Sequence, residues 1–300
     1  GTAGAELGEG SSTSVGEPTT RGASSTSGAD GTTTNAATTG STTAIDPSTS
    51  GSSSDDGTTG EPQIIDDGLL ARWWIDEAEM GQTRLLLADA VLPPLSLSVL
   101  YVNQWPTFTE LEGSRGLYWG MSGRSGRALA PIAGSKIDLQ LNGRTTATFE
   151  LVVAVQDVVS ETSRLFHIGT GSATDLAIGS EALDRLEVRW TGGTRLQFDT
   201  SLTGSIQIIH VVVDTDQATA TDRVRAYVDG NPLTRNNETT VAEGAGLPLQ
   251  PTSSLVLGNR ADGQRSIAGS LHYAAIYLEA FDASQVMANA QVLKASDDRD

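Results

Sequence analysis

From Gln63 onward the chain breaks into short β-prone runs separated by Gly, Asp, Asn and Pro clusters, a rhythm that fits an all-β sandwich. The clearest runs are Thr148–Gln156, Ser205–Asp214, Arg223–Val228, Leu255–Asn259 and Leu271–Leu278, each long enough to cross one sheet. In Arg223–Val228 the small or apolar Val224, Ala226 and Val228 alternate with Arg223, Arg225 and Tyr227, which predicts a core face and a solvent face. Asp229-Gly230 then supplies a tight turn. One helix is predicted near the end: Asp282 is placed to cap it, Gln285 to complete a capping box, and Phe281 and Val286 to form a hydrophobic staple. Val286, Ala290 and Leu293 share its apolar face. No repeat of about 20–50 residues is visible, which disfavours solenoids and propellers.

What precedes Gln63 differs in kind. Of the first 60 residues 39 are Gly, Ser or Thr, and the large aliphatics are Leu7, Val15 and Ile45, too few to offset the entropy of ordering. The expectation is a disordered tail or stalk over residues 1–62 and one folded domain over 63–300. The net charge of −18 disfavours nucleic acid and anionic lipid as partners. A third of that imbalance lies in the first 60 residues, where seven acids face Arg21 alone. The absence of Cys excludes disulfides, thiolate metal sites and cysteine nucleophiles, so the domain must stand on its core. No apolar run approaches the roughly 18 residues of a membrane-spanning helix. A Ser/Thr stalk without a leading Met suggests an exported protein, extracellular or held at the cell envelope, with lipid anchorage upstream of residue 1 as one form of attachment. Two of the 19 basic residues are Lys, and Ala and Gly abound, a bias expected of a GC-rich bacterial source.

Four segments, in order, carry a resemblance to a known family. Leu69–Glu77 (LLARWWIDE) is an aromatic strand ending in acids, and His210–Leu233 closes paired strands on a YVDG turn. Leu255–Gly263 (LVLGNRADG) is similar to a strand and loop of the form xIGxRxDG, and Ile267–Val286 resembles a closing strand followed by a capped helix. Together they resemble the bacterial laminin-G-like domains of the concanavalin A-like lectin/glucanase group. The resemblance implies an antiparallel two-sheet β-sandwich, a jelly roll, with a short C-terminal helix. In many relatives an Asp of the final strand helps to hold a structural Ca²⁺. The matching residue here is His272, whose imidazole suits Ca²⁺ poorly. A cation held instead by Asp76 and Glu77 with Asp262 requires their loops to meet at one end of the sandwich.

Glucanases on this fold carry a run close to ExDxxE on one strand, because alternation projects the carboxylates to one face. The nearest run here is Glu181-Ala-Leu-Asp184-Arg-Leu-Glu187, whose three-residue step puts Glu181 and Asp184 on opposite faces; it reads as a solvated edge or turn. His167, His210 and His272 show no paired ligand spacing and read as packed or surface histidines. No nucleophile elbow, P-loop or dinucleotide fingerprint is present. The expectation is therefore a protein that is not an enzyme.

Sugar recognition needs an aromatic platform with nearby amides, because a pyranose offers one apolar face and a rim of hydroxyls. Tyr101, Asn103, Gln104 and Trp105 are placed to form one on a loop, whereas Trp73, Trp74, Trp119 and Trp190 read as core or sheet-face aromatics. Arg115, Arg124 and Arg127, set among glycines, stand either as a grip for an acidic glycan or as decoration of a hairpin. The sequence favours a cell-surface recognition or adhesion module that binds a glycan or a surface protein. Two alternatives remain open: a spacer domain without a ligand, and a glycan hydrolase using acids such as Glu150 with Asp157.

Overall fold

The computed structural model describes residues 63–120, 122–158 and 162–297; the tail expected over 1–62 lies outside them. In chain order the strands are β1 Leu69–Trp74, β2 Leu86–Leu87, β3 Leu97–Leu100, β4 Thr107–Leu111, β5 Ser114–Trp119, β6 Arg127–Pro131, β7 Thr146–Asp157 and β8 Ser163–Gly169. Then follow β9 Leu176–Ala182, β10 Arg185–Trp190, β11 Thr194–Asp199, β12 Gln207–Asp214, β13 Val224–Val228, β14 Asn231–Pro232, β15 Ser254–Leu257 and β16 Ala268–Tyr277, and the helix α1, Ala283–Ala295. The expected two-sheet antiparallel sandwich with a C-terminal helix is what forms. One sheet, the helix-side sheet, has the order β14-β13-β12-β7-β16-β5-β4, with β1 paired to the end of β16 that β5 leaves free. The other, the far sheet, has the order β11-β10-β9-β8-β15-β6-β3-β2.

Alternation fills the space between the sheets. Phe149, Leu151, Val153 and Val155 of β7, with Ile209, Val211 and Val213 of β12, meet Leu165, Phe166 and Ile168 of β8 and Val188 of β10 in one buried core. Trp73 and Trp119 lie wholly inside it, and their indole N–H groups donate to the carbonyls of Leu95 and Gly126. The Asp229-Gly230 turn forms with both residues at positive φ, 49° and 77°, the geometry a two-residue hairpin demands.

One side of the helix-side sheet departs from expectation. The face of β13 that carries Tyr227 was expected to meet solvent, yet Tyr227 is buried. Alternation identifies two faces but does not say what covers the second, and here α1 does. Asp282 caps the helix, accepting from the N–H groups of Ser284 and Gln285, while Gln285 returns a bond to the Asp282 N–H. Phe281, Val286, Ala290 and Leu293 then join Val152, Ile208, Val212, Tyr273 and Tyr277 in a second apolar core.

A polar cluster is embedded in this second core. Glu150, with no solvent exposure, accepts from His210 Nε2 at 2.7 Å, Tyr277 Oη at 3.0 Å and Asn289 Nδ2 of α1 at 3.0 Å. Burial alone would push its carboxyl up, and these donors outweigh it, holding the group below the ordinary value. Arg72 extends the cluster through the Tyr273 hydroxyl at 3.0 Å and an ion pair with Asp66 at 2.7 Å. Glu150 therefore stands under the helix. It is not half of a catalytic pair with Asp157, which is seven positions along the same strand, about 23 Å away. Glu150→Ala leaves buried donors without an acceptor, and we expect it to lower unfolding free energy by about 3 kcal/mol. Urea titration followed by circular dichroism would show this as a lower midpoint with an unchanged slope.

Candidate functional site

With α1 over one outer face, the outer face of the far sheet is the one on which charged side chains gather. Inward Leu186 and Val188 of β10 alternate with outward Arg185, Glu187 and Arg189, and Leu196 and Phe198 of β11 with Arg195 and Gln197. The register sets Arg189 directly opposite Arg195, and Glu187 opposite Gln197. Arg164 of β8 is only 2% exposed. The loop from Asn259 to Ser266 brings Arg260 and Arg265 alongside, tied to β8 by the Arg164 N–H donating to the Arg265 carbonyl at 2.7 Å. Thr162, Arg164, Glu181, Arg189, Arg195, Arg260 and Arg265 line a cavity of about 350 Å³.

The local field is positive. Burial first, then Arg189, pushes the Arg164 guanidinium down to about 9, and burial with Arg164 and Arg260 pushes His167 down to about 3. Glu187, expected on a solvated edge, is instead fully buried and bonded to Arg189 Nε. Glu181 and Asp184 do sit at the end of β9 and in the turn after it; Glu181 accepts from Arg185 at 2.8 Å and from Gln197 at 3.1 Å.

The predicted aromatic platform lies in the loop between β3 and β4. Tyr101 is 53% exposed and Trp105 41%, with ring centroids 5.7 Å apart, and Asn103 and Gln104 between them are exposed as well. Buried Pro106 anchors the loop. This loop and the arginine loop share a boundary: a Cβ on Gly263 would meet the Val102 side chain at 2.7 Å and Arg127 Nη1 at 2.6 Å. Of the other arginines singled out in the sequence, Arg124 is exposed and Arg115 pairs with Glu79 at 3.5 Å.

The predicted cation set is not assembled. Asp262 accepts from Arg260 Nε at 2.9 Å and Nη2 at 2.6 Å, while Glu77 accepts from the Ala88 N–H at 3.0 Å and Asp76 follows the end of β1. Among the described residues no three of His, Asp and Glu converge as metal ligands. His272 occupies a β-bulge of β16, between Leu271 and Tyr273. Its Nε2 meets Ser270 Oγ at 2.7 Å, and its Nδ1 the Arg115 carbonyl and Ser114 Oγ, both at 2.9 Å. The carbonyl can only accept, so Nδ1 carries the hydrogen. Gly116 makes room for the ring, since a Cβ there would lie 2.6 Å from Nδ1. Sequence reasoning missed the arginine cavity because its members come from four strands or strand ends and a loop. The available signal was Arg185, Glu187 and Arg189 at a two-residue step, which puts charge on one face of a strand.

A sandwich of two antiparallel sheets with a helix packed on one outer face is the concanavalin A-like class of fold. The family model of the concanavalin A-like lectin/glucanases superfamily matches residues 133–287, and the chain belongs to that superfamily. No curated protein matches it in sequence. Among solved structures, the Trypanosoma rangeli sialidase in complex with 2,3-difluorosialic acid is 18% identical with a TM-score of 0.54, covering 78% of this chain and 34% of its own. The binding domain of botulinum neurotoxin DC in complex with rat synaptotagmin II is 10% identical with a TM-score of 0.53, covering 75% of this chain and 52% of its own. This chain thus spans about a third of the sialidase and half of the toxin domain, and the likeness is one of fold. It corrects one expectation: the missing acidic run is not grounds for excluding an enzyme, because the same sandwich forms part of sialidase chains.

His167 and His272 give the domain an acid-side stability slope. Their folded values, about 3 and about 4, lie below the ordinary 6.5, so between pH 6.5 and 4 the unfolded chain binds more protons. This contribution is complete above pH 6.5 and is lost as pH falls through that window. Urea midpoints at pH 7, 6 and 5 should show unfolding free energy dropping by about 2.7 kcal/mol per pH unit near pH 5; a flat profile would mean that the rings titrate normally.

Proposed function

We propose that this domain recognises carbohydrate, through the Tyr101–Trp105 loop together with the arginine-lined cavity on the far sheet. The observation that carries the reading is the exposed, mutually inclined aromatic pair with two exposed amide side chains between its members. Such a loop offers apolar area for the hydrogen-bearing face of a sugar ring and donors and acceptors for its hydroxyls. Exposed aromatics usually cost solubility, and a chain that keeps two together on a loop anchored by a buried proline has a use for them. The superfamily contains lectins by its own description, which supports the reading without deciding it. Export, with display at the cell envelope on residues 1–62, belongs to the same proposal and rests on the sequence; cell fractionation would test it.

The test is a glycan array probed with the full chain, followed by titration calorimetry on the strongest hits and a reducing-end assay on the same glycans. Trp105→Ala and Tyr101→Ala should each weaken binding about tenfold, the scale of one truncated aromatic anchor, and leave the thermal midpoint within a degree or two. Full affinity in both variants would move recognition away from this loop. Array silence would favour a spacer or a protein-binding role, and release of reducing ends would add hydrolysis.

A further inference from the structure

We propose that the cavity lined by Arg164, Arg189, Arg195, Arg260 and Arg265 is an oxyanion pocket, which receives the carboxylate or sulfate substituent of an acidic saccharide. The saccharide part of this statement rests on the carbohydrate reading above; the oxyanion part stands on the cavity alone.

Three features of the cavity point to an anion. The first is the cross-strand pair Arg189 and Arg195: like charges directly opposite on one sheet face repel, and a sequence that builds this pair sets aside stability unless something negative lies between them. The second is the balance of charge. Arg164, Arg189, Arg195 and Arg260 bring four guanidinium groups to the cavity, and among the described residues the carboxylates bonded beside it are Glu187, on Arg189, Asp262, held by Arg260, and Glu181, engaged by Arg185 and Gln197. Arg195 is exposed and has no ion-pair partner among the described residues. The third is Arg164. Its Nη1 donates to the Thr162 carbonyl at 2.9 Å, while its buried Nε finds no acceptor among the described residues. The guanidinium as a whole is buried with no carboxylate bonded to it among the described residues, and an anion in the cavity would offset that charge.

The geometry also explains why arginine rather than lysine is used. Planar guanidinium forks arranged around one cavity match the paired oxygens of a carboxylate or the tetrahedral oxygens of a sulfate. Arg189 is already braced on its far sides, by Glu187 at Nε and by Thr162 Oγ1 at Nη2, 2.8 Å away. Arg260 is braced in the same manner by both oxygens of Asp262. These groups are therefore oriented before any ligand arrives, which reduces the ordering cost of binding. A volume of about 350 Å³ suits one charged monosaccharide unit, and the shared boundary at Gly263 and Val102 leads from the cavity towards the aromatic loop.

The deciding experiment is calorimetric titration of the full chain with an oligogalacturonate, a sulfated oligosaccharide and a neutral oligogalactoside of equal length, in wild type and in Arg195→Glu and Arg265→Gln. At least one acidic ligand should bind about tenfold more tightly than the neutral one, and that preference should fall to twofold or less in both variants. Circular dichroism confirms that the variants fold. Equal affinity for neutral and acidic ligands in wild type, or a preference that survives both substitutions, would overturn the pocket while leaving carbohydrate recognition intact. Should no saccharide bind, sodium sulfate against sodium chloride at matched ionic strength decides the anion alone. A sulfate-specific rise in the unfolding midpoint, lost in both variants, retains the pocket and removes only the sugar; no rise overturns it.

Discussion

The buried carboxylate of Glu150 is the constraint on which the arrangement of this domain depends. A charge with no access to water requires donors, and here they come from β12, β16 and α1 together. An apolar helix on an apolar sheet has many positions of nearly equal energy. Hydrogen bonds from Asn289, whose carbonyl oxygen also accepts from the Ile65 N–H, select one of them. The N-terminal approach to β1 and the C-terminal helix are thereby fixed on the same side of the sandwich, opposite the sheet face that carries the arginines.

Electrostatics on that opposite side run against the charge of the whole. The chain carries −18, which at long range repels anions. Screening confines that repulsion to about 8 Å at physiological ionic strength, so the arginine cluster dominates inside its own cavity. A surface of this kind admits an anionic group that is delivered by a larger ligand and discourages loose association with polyanions such as nucleic acid.

Much of the fold was legible because it rests on local signals. The Asp229-Gly230 turn, the Asp282 capping box and the long apolar strands β7, β12 and β16 all follow from residues within a few positions of one another. The exposure of Trp105 and the burial of Trp73 and Trp119 were readable for a similar reason, from polar or apolar flanks. What stayed hidden depends on pairing between distant segments. Tyr227 looks solvent-facing until α1 is laid over it, 50 and more residues further along the chain. Glu187 looks like a turn acid until Arg189 and Arg164 close around it. The arginine cavity is completed only when the loop from Asn259 to Ser266, far along the chain, is laid against the consecutive strands β8, β9, β10 and β11.

The scarcity of lysine has a practical side. Lys136 is buried in an ion pair with Asp89, 2.7 Å away, so its amine is shielded from reagents. Lys294 is the exposed lysine of the folded domain, and it lies in the last turn of α1, across the full thickness of the sandwich from the arginines. Coupling the domain to a bead or sensor surface through lysine would therefore seat it helix-down, with the arginines and aromatics turned to the solution.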